Sequence, residues 1–267
     1  MATMTNLTPL RNFINEPHCD LGSNAWVLAE LVKTFKNGRF IDLGVRYGSS
    51  SAIMSINAAE NGNKVHGCDL KFDGFEKNGA RFVNEDYICY LADSVTLGKN
   101  WDEEPFDIIF VDTIHTREQV LAELYFWSNH IKEGGYFIFH DSHWVGPNGE
   151  DNPVTKDTYG DTIGGKKWER PDVAITDFFG LPRSVREMDA YEDENVIIGH
   201  HKPSCGMTFV QVKTLDAIEK FKSNVDWNEV FEIRNWMNNL YFNRDNPNFV
   251  DWQQDIDNIE NELVINP

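Results

Sequence analysis

Two short stretches of the chain concentrate side chains able to hold a cation and move a proton. "VDTIH" carries Asp112 and His115, and "FHDSH" carries His140, Asp141 and His143. Carboxylates and imidazoles gathered at one rim are what a divalent cation requires, and an imidazole beside it titrates near neutral pH and can act as general base. A bound cation lowers the pKa of a hydroxyl, so the chemistry on offer is activation of an acceptor oxygen. Two carboxylates with one imidazole suit Mn²⁺ or Fe²⁺ as well as Mg²⁺, because imidazole favours transition metals. Each residue also has a plainer reading. Asp112 and Asp141 could cap the helices that follow, His115 could be a solvated loop residue, and His143 a supporting one. His200 and His201 with Cys205 sit in a turn without ligand spacing, so they are not read as a metal site.

A third stretch, "RFIDLGVRYGSSSAIM", raises a different chemistry. A strand, a glycine turn and a helix start form a cradle in which glycine permits a tight bend and close ligand approach. Gly44, Gly48 and Ser49 fill those places. A glycine pair alone is weak, since left-handed turns use glycine everywhere. Asp69 strengthens it by ending the next strand, where a carboxylate accepts both hydroxyls of a ribose. Asp93 and Ser94 end the strand after that, where an adenine edge would lie.

Strands must place these residues. Helical spacing is predicted over Asn24 to Phe35, and a strand over Phe40 to Leu43. A helix over Ser51 to Ala59 and strands over Lys64 to Cys68 and Tyr87 to Ala92 come next. "FDIIFV", Phe106 to Val111, is a continuous apolar run of the kind a parallel strand buried on both faces needs. A helix over Arg117 to His130, a "KEGG" turn and a strand over Tyr136 to Phe139 follow. Five strands alternating with helices, each ending in a polar residue, predict an open parallel sheet with ligands beyond its carboxyl ends. Val145 to Arg170 is too long and too rich in Gly, Pro and Asn for an ordinary connection and is expected to be a lid or binding loop. Val196 to Gly199 and Met207 to Val212 read as a terminal hairpin, and Leu215 onward as an acidic, aromatic helical extension.

At 267 residues and 41% hydrophobic composition, the chain suits one large α/β domain with extensions. Its 24 Lys and Arg against 43 Asp and Glu give a net charge of −19, which argues against nucleic acid and anionic membranes as partners. The four cysteines show no close pairing, the N-terminus lacks a basic-then-apolar leader, and no apolar run approaches the roughly 18 residues of a membrane helix. A soluble, cytoplasmic protein is expected.

"DLGVRYGSS" resembles the first motif of the class I S-adenosylmethionine-dependent methyltransferases. Arg46 stands where a dinucleotide binder has its middle glycine, which favours S-adenosylmethionine over NAD. "FDIIFVDTIHTREQVLAEL" and "IKEGGYFIFHD" are similar to the strand-four and strand-five signatures of a branch containing macrolide-sugar O-methyltransferases and cephalosporin-hydroxylase-like proteins. The resemblance covers about Phe40 to Trp144. It implies an α/β, Rossmann-like doubly wound sheet, mostly parallel with a C-terminal antiparallel hairpin, with Asp42, Gly44, Gly48, Ser49, Asp69, Asp93, Ser94 and Asp112 at the S-adenosylmethionine. In the resembled enzymes an Asp after strand four and an acidic pair after strand five hold magnesium, and a His three positions after the first Asp is the base. Carried over, this names Asp112, His140 and Asp141 as ligands of Mg²⁺ or Mn²⁺ and His115 as base, with His140 standing where those enzymes have an acid.

The implied activity is metal-dependent O-methylation of a small hydroxylated acceptor such as a sugar. The implied organisation is a methyltransferase-like domain over 1–213 and a helical extension over 214–267 through which copies could associate. Two alternatives stay open. One is a metal-dependent hydrolase or oxygenase using His115, His140, Asp141 and His143, which leaves Gly44, Gly48 and Asp69 without a task. The other is a non-catalytic S-adenosylmethionine-binding protein.

Overall fold

The apolar runs expected to be buried strands form the centre of one eight-stranded sheet. The computed structural model describes residues 8–16, 21–56, 58–143, 158–163, 166–203 and 205–242. The strands are β1 (Arg39–Leu43), β2 (Lys64–Asp69), β3 (Ile88–Leu91), β4 (Phe106–Val111), β5 (Ile131–His140), β6 (Thr158–Ile163), β7 (Lys166–Glu169), β8 (Ala190–Glu192), β9 (Val196–His201) and β10 (Met207–Val212). The large sheet has the order β3-β2-β1-β4-β5-β10-β9-β8. Its first five strands are parallel and its last three antiparallel, as a doubly wound sheet closed by a hairpin requires. The order reverses between β1 and β4, which opens a crevice beyond their carboxyl ends.

Helices cover both faces. On one side α1 (Thr8–Ile14), α2 (Asn24–Val32) and α3 (Ser49–Met54) bury Phe13, Leu28 and Ile53 against Phe40, Ile108 and Phe110. The short α4 (Ala58–Asn61) and α5 (Asp73–Lys77) flank β2. On the other side lie α6 (Ser94–Lys99), α7 (Arg117–Trp127), α8 (Pro171–Phe179), α9 (Ile218–Lys222) and α10 (Trp227–Phe242). They bury Leu121, Trp127, Phe178, Phe221 and Val230 against Ile109, Val111 and Phe137. Side chains of β4 thus alternate between two apolar layers, which is why the run carries no polar interruption after Asp107.

Several boundaries differ from expectation for identifiable reasons. The helix expected to reach His130 ends at Trp127 and continues as a 3₁₀ turn over Ser128–His130. The "KEGG" segment is part of β5, where Gly134 takes φ +76° and the register against β4 shifts between Phe106 and Ile108. A bulge there lets the chain turn without leaving the sheet. The region expected to be a loop contains the β6–β7 hairpin, while 144–157 and 164–165 lie outside the described residues, as does the chain beyond 242. Helix α8 has Pro171 in its first turn and Gly180 in the left-handed conformation at its end, the proline-first, glycine-last pattern of a well-bounded helix. Among the described residues no helix is long and apolar enough to cross a membrane.

Candidate active site

The pairing of β1 with β4 sets Leu43 opposite Val111, so the residues that follow, Gly44 and Asp112, leave the sheet side by side. Gly44 has φ +95°, and a Cβ there would lie 2.1 Å from the Asp112 carbonyl oxygen, so only glycine lets the two loops touch. Gly48, φ +88°, starts α3. Between them Arg46 is held at φ +47°, a left-handed geometry uncommon outside glycine, and its N–H donates to Asp69 Oδ2 at 2.7 Å. Gly44 and Arg46 line a concavity with Leu21, Val45, Tyr47, Ser49, Ser50 and Asp112.

Asp42 lies beneath that concavity with no exposed surface. Its Oδ2 accepts from Ser50 Oγ at 2.7 Å and from Ser51 Oγ, and Ser51 also meets the Tyr87 hydroxyl at 2.7 Å. Burial pushes the Asp42 carboxyl up to about 7 against these favourable hydroxyls. Asp42 therefore shapes the loop from below. Asp69 also takes the Lys71 N–H at 3.3 Å, and burial raises its carboxyl too.

At the next strand end, Asp93 caps α6, its Oδ2 accepting from the N–H of Thr96 at 2.8 Å and from Thr96 Oγ1 at 2.7 Å. Ser94 is buried and donates to Glu123 Oε1. The same oxygen accepts from Thr113 Oγ1 at 2.7 Å and Gln119 Nε2 at 2.9 Å. Burial lifts Glu123 to about 7. Sequence reasoning missed this network, because Glu123 and Gln119 on a helix otherwise read as solvated positions. In the structure α6, α8 and α10 cover α7, and both are buried.

The reacting cluster forms where β4 and β5 end. His115 Nε2 lies 2.9 Å from Asp112 Oδ1 and 3.7 Å from Asp141 Oδ2. His140 Nδ1 lies 3.2 Å from Asp112 Oδ1 and 3.3 Å from Asp141 Oδ1, with its side chain fully buried and stacked on Phe110. Asp141 is at φ +49°, a left-handed geometry that a short acidic side chain tolerates better than most and that turns its carboxylate toward Asp112. Burial alone would raise Asp112, but His140 and His115 hold it well below the usual carboxylate range. Burial alone would lower His115, but Asp141 and Asp112 raise it above the ordinary histidine value.

Asp112, His115 and Asp141 offer ligand atoms that all lie within 4.8 Å of one another. His115, expected as base, stands inside this donor set. His140, expected as a ligand, contacts both carboxylates from the buried side. His143 lies away from it, with Nε2 3.3 Å from the Arg186 carbonyl and Nδ1 3.0 Å from Ser142 Oγ. His200 is bound to Thr208 and His201 to Ser23.

Residues 41–142 match a family model described as a methyltransferase domain. No curated protein matches the sequence. An O-methyltransferase from Bacillus cereus, solved in complex with SAH, is similar in structure with a TM-score of 0.52 at 15% identity, over 79% of this chain and 94% of that one. An SAH-bound methyltransferase from Podospora anserina is similar with a TM-score of 0.51 at 12% identity, over 78% of this chain and 88% of that one. The domain match and the sheet order agree with what the ordered motifs implied. The chain has a Rossmann-like fold, and its residues 41–142 carry the methyltransferase-domain match.

Proposed function

We propose that this methyltransferase is an O-methyltransferase of a small hydroxylated acceptor, such as a sugar, with a divalent cation held beside the acceptor oxygen. The observation that carries the reading is the double position of Asp112. Its backbone packs against Gly44 in the cradle, and its carboxylate meets His115 and His140 in the cluster. One residue therefore joins the place where a sulfonium would lie to the place where a proton can be taken.

The donor set fits a cation, since two carboxylates with an imidazole between them match the oxygen and nitrogen chemistry of Mg²⁺ or Mn²⁺. Asp112 and Asp141 would hold it, and His140 would orient both carboxylates from below. When bound, such an ion lowers the pKa of a coordinated hydroxyl. With Asp112 turned to the ion, neutral His115 would take the acceptor O–H proton, the oxygen would form the bond to the methyl carbon, and the carbon–sulfur bond would break with its electron pair staying on sulfur. The rest of the site contributes placement, which is the larger part of the barrier in a displacement of this kind. Asp69 would take the cofactor's ribose hydroxyls, and Gly44 to Ser49 would receive its amino-acid end.

A cytoplasmic location is proposed from the cysteine spacing, which offers no close pair in the sequence. A small neutral or cationic acceptor suits the charge of −19 better than a polyanion. The region after residue 213 would help select the acceptor and join copies. The test is methyl transfer from labelled S-adenosylmethionine to a panel of sugars and phenols, with Mn²⁺ or Mg²⁺ and with chelator. Cation-dependent labelling of a hydroxyl is expected. Labelling of nitrogen or carbon, or full activity under chelation, would contradict the reading.

A further inference from the structure

Helix α10 follows the last sheet strand and reaches the cofactor rim through one side chain. Arg234 is 7% exposed, although arginine seldom is so buried without a specific partner. Its Nη2 donates to Asp93 Oδ1, and its Nε donates to Gln119 Oε1 at 3.1 Å. With Thr96 on the other oxygen, both oxygens of the Asp93 carboxylate are engaged, so Asp93 acts by fixing the turn into α6. Gln119 passes the connection on, donating to Ser94 Oγ at 3.3 Å and to Glu123 Oε1 at 2.9 Å. Glu123 in turn holds Ser94 and Thr113, the residues after β3 and after Asp112. The guanidinium is thus the cross-brace of a buried network that spans the ends of β3 and β4.

We infer that Arg234 is a positioning residue for the adenosine end of the cofactor, so that α10 is a working part of the cofactor site. The inference rests on the proposed cofactor placement. A planar guanidinium suits the task because it presents donors at fixed angles to two different acceptors. A lysine ammonium presents its donors from a single nitrogen and spans two separated acceptors less well. Met237, on the same helix, packs instead at Thr116 Oγ1, 3.9 Å away, and serves as a control for helix docking.

The experiment is calorimetry on the full chain with SAH and with 5′-methylthioadenosine, which keeps the adenosine end and lacks the amino acid. R234M should weaken both ligands by about 10-fold or more, the worth of a charge-assisted hydrogen bond. R234K should recover part of that loss, and M237A should stay within about 2-fold of wild type for both ligands. Mn²⁺ binding should be unchanged in R234M, which a general collapse of the fold would not allow. If R234M does not fold, R234Q, which keeps one donor group, takes its place with the same expectation. Wild-type affinity in R234M would overturn the inference, as would an equal loss in M237A. Wild type that binds neither ligand would instead undo the cofactor placement itself.

Discussion

The loop after β1 and the cluster after β4 and β5 sit side by side at the same sheet edge, yet they are built on different principles. In the first, Gly44 and Gly48 take φ of +95° and +88°, and Arg46 is held at +47° by a backbone bond to Asp69. Shape comes from the main chain, and the carboxylate beneath it, Asp42, is contacted by neutral hydroxyls. In the second, Asp141 is the one left-handed residue, and charge does the rest: two carboxylates and two imidazoles hold one another within 2.9 to 3.7 Å. A site shaped by backbone should lose affinity when changed, and a site shaped by charge should lose chemistry. Single substitutions in each region show whether the two separate that way.

The largest effect is expected from the charged region. D112N or D141N should remove measurable divalent-cation binding and methyl transfer together. SAH affinity in both should stay within about 3-fold of wild type, because Asp112 packs on Gly44 through its backbone, which the substitution leaves in place. Calorimetry with Mn²⁺ and then SAH checks this, and a parallel loss of both ligands would merge the two regions into one. H115A should leave Mn²⁺ binding in place and lower turnover by roughly 10²–10⁴-fold, the worth of a positioned base. If that variant loses Mn²⁺ instead, His115 is a ligand before it is a base.

The buried acids give a prediction about stability. Asp42 and Glu123 have carboxyls raised to about 7 by burial, so the folded state favours their protonated forms. Their contribution is fully present below the ordinary carboxylate pKa near 4 and is lost as pH rises through about 7. The difference is worth a few kcal/mol in order of magnitude, since each tenfold gain in proton affinity on folding is about 1.4 kcal/mol. D42N should flatten the fall in melting temperature between pH 4 and pH 7. An unchanged pH profile in D42N would show that Asp42 is not the buried acid responsible. A smaller effect is expected at the cradle, where D69A should weaken SAH by about 1–3 kcal/mol through unpaired ribose hydroxyls.

The same contrast explains what the sequence could and could not disclose. Gly44 and Gly48 are legible because few side chains tolerate their φ angles, and the "FDIIFV" run because a strand covered on both faces leaves no room for polar residues. The parallel core follows from such runs, and the closing hairpin from the short apolar segments Val196 to Gly199 and Met207 to Val212. Helix α8 is not legible although Pro171 and Gly180 bracket it, since the Gly- and Pro-rich stretch before it has the composition of a loop. The strand over Ala190–Glu192 is short and half exposed at the sheet edge, so it has no hydrophobic signature. In the site, residue types disclose which side chains meet but not their division of labour. Asp93 is expected from its strand end to face adenine, whereas its carboxylate is bound by Thr96 and Arg234. That outcome depends on a helix more than a hundred residues away in sequence, which no local spacing encodes.

The proposed methyl transfer would need a cation between Asp112 and Asp141, beside a cofactor whose ribose would rest on Asp69. Anomalous diffraction from a crystal soaked with Mn²⁺ and SAH tests both halves at once. One manganese peak is expected within coordinating distance of the Asp112 and Asp141 carboxylates, with the sulfur of SAH facing it across the Gly44 loop. Manganese elsewhere, or SAH bound away from Asp69 and the glycine loop, would contradict that arrangement.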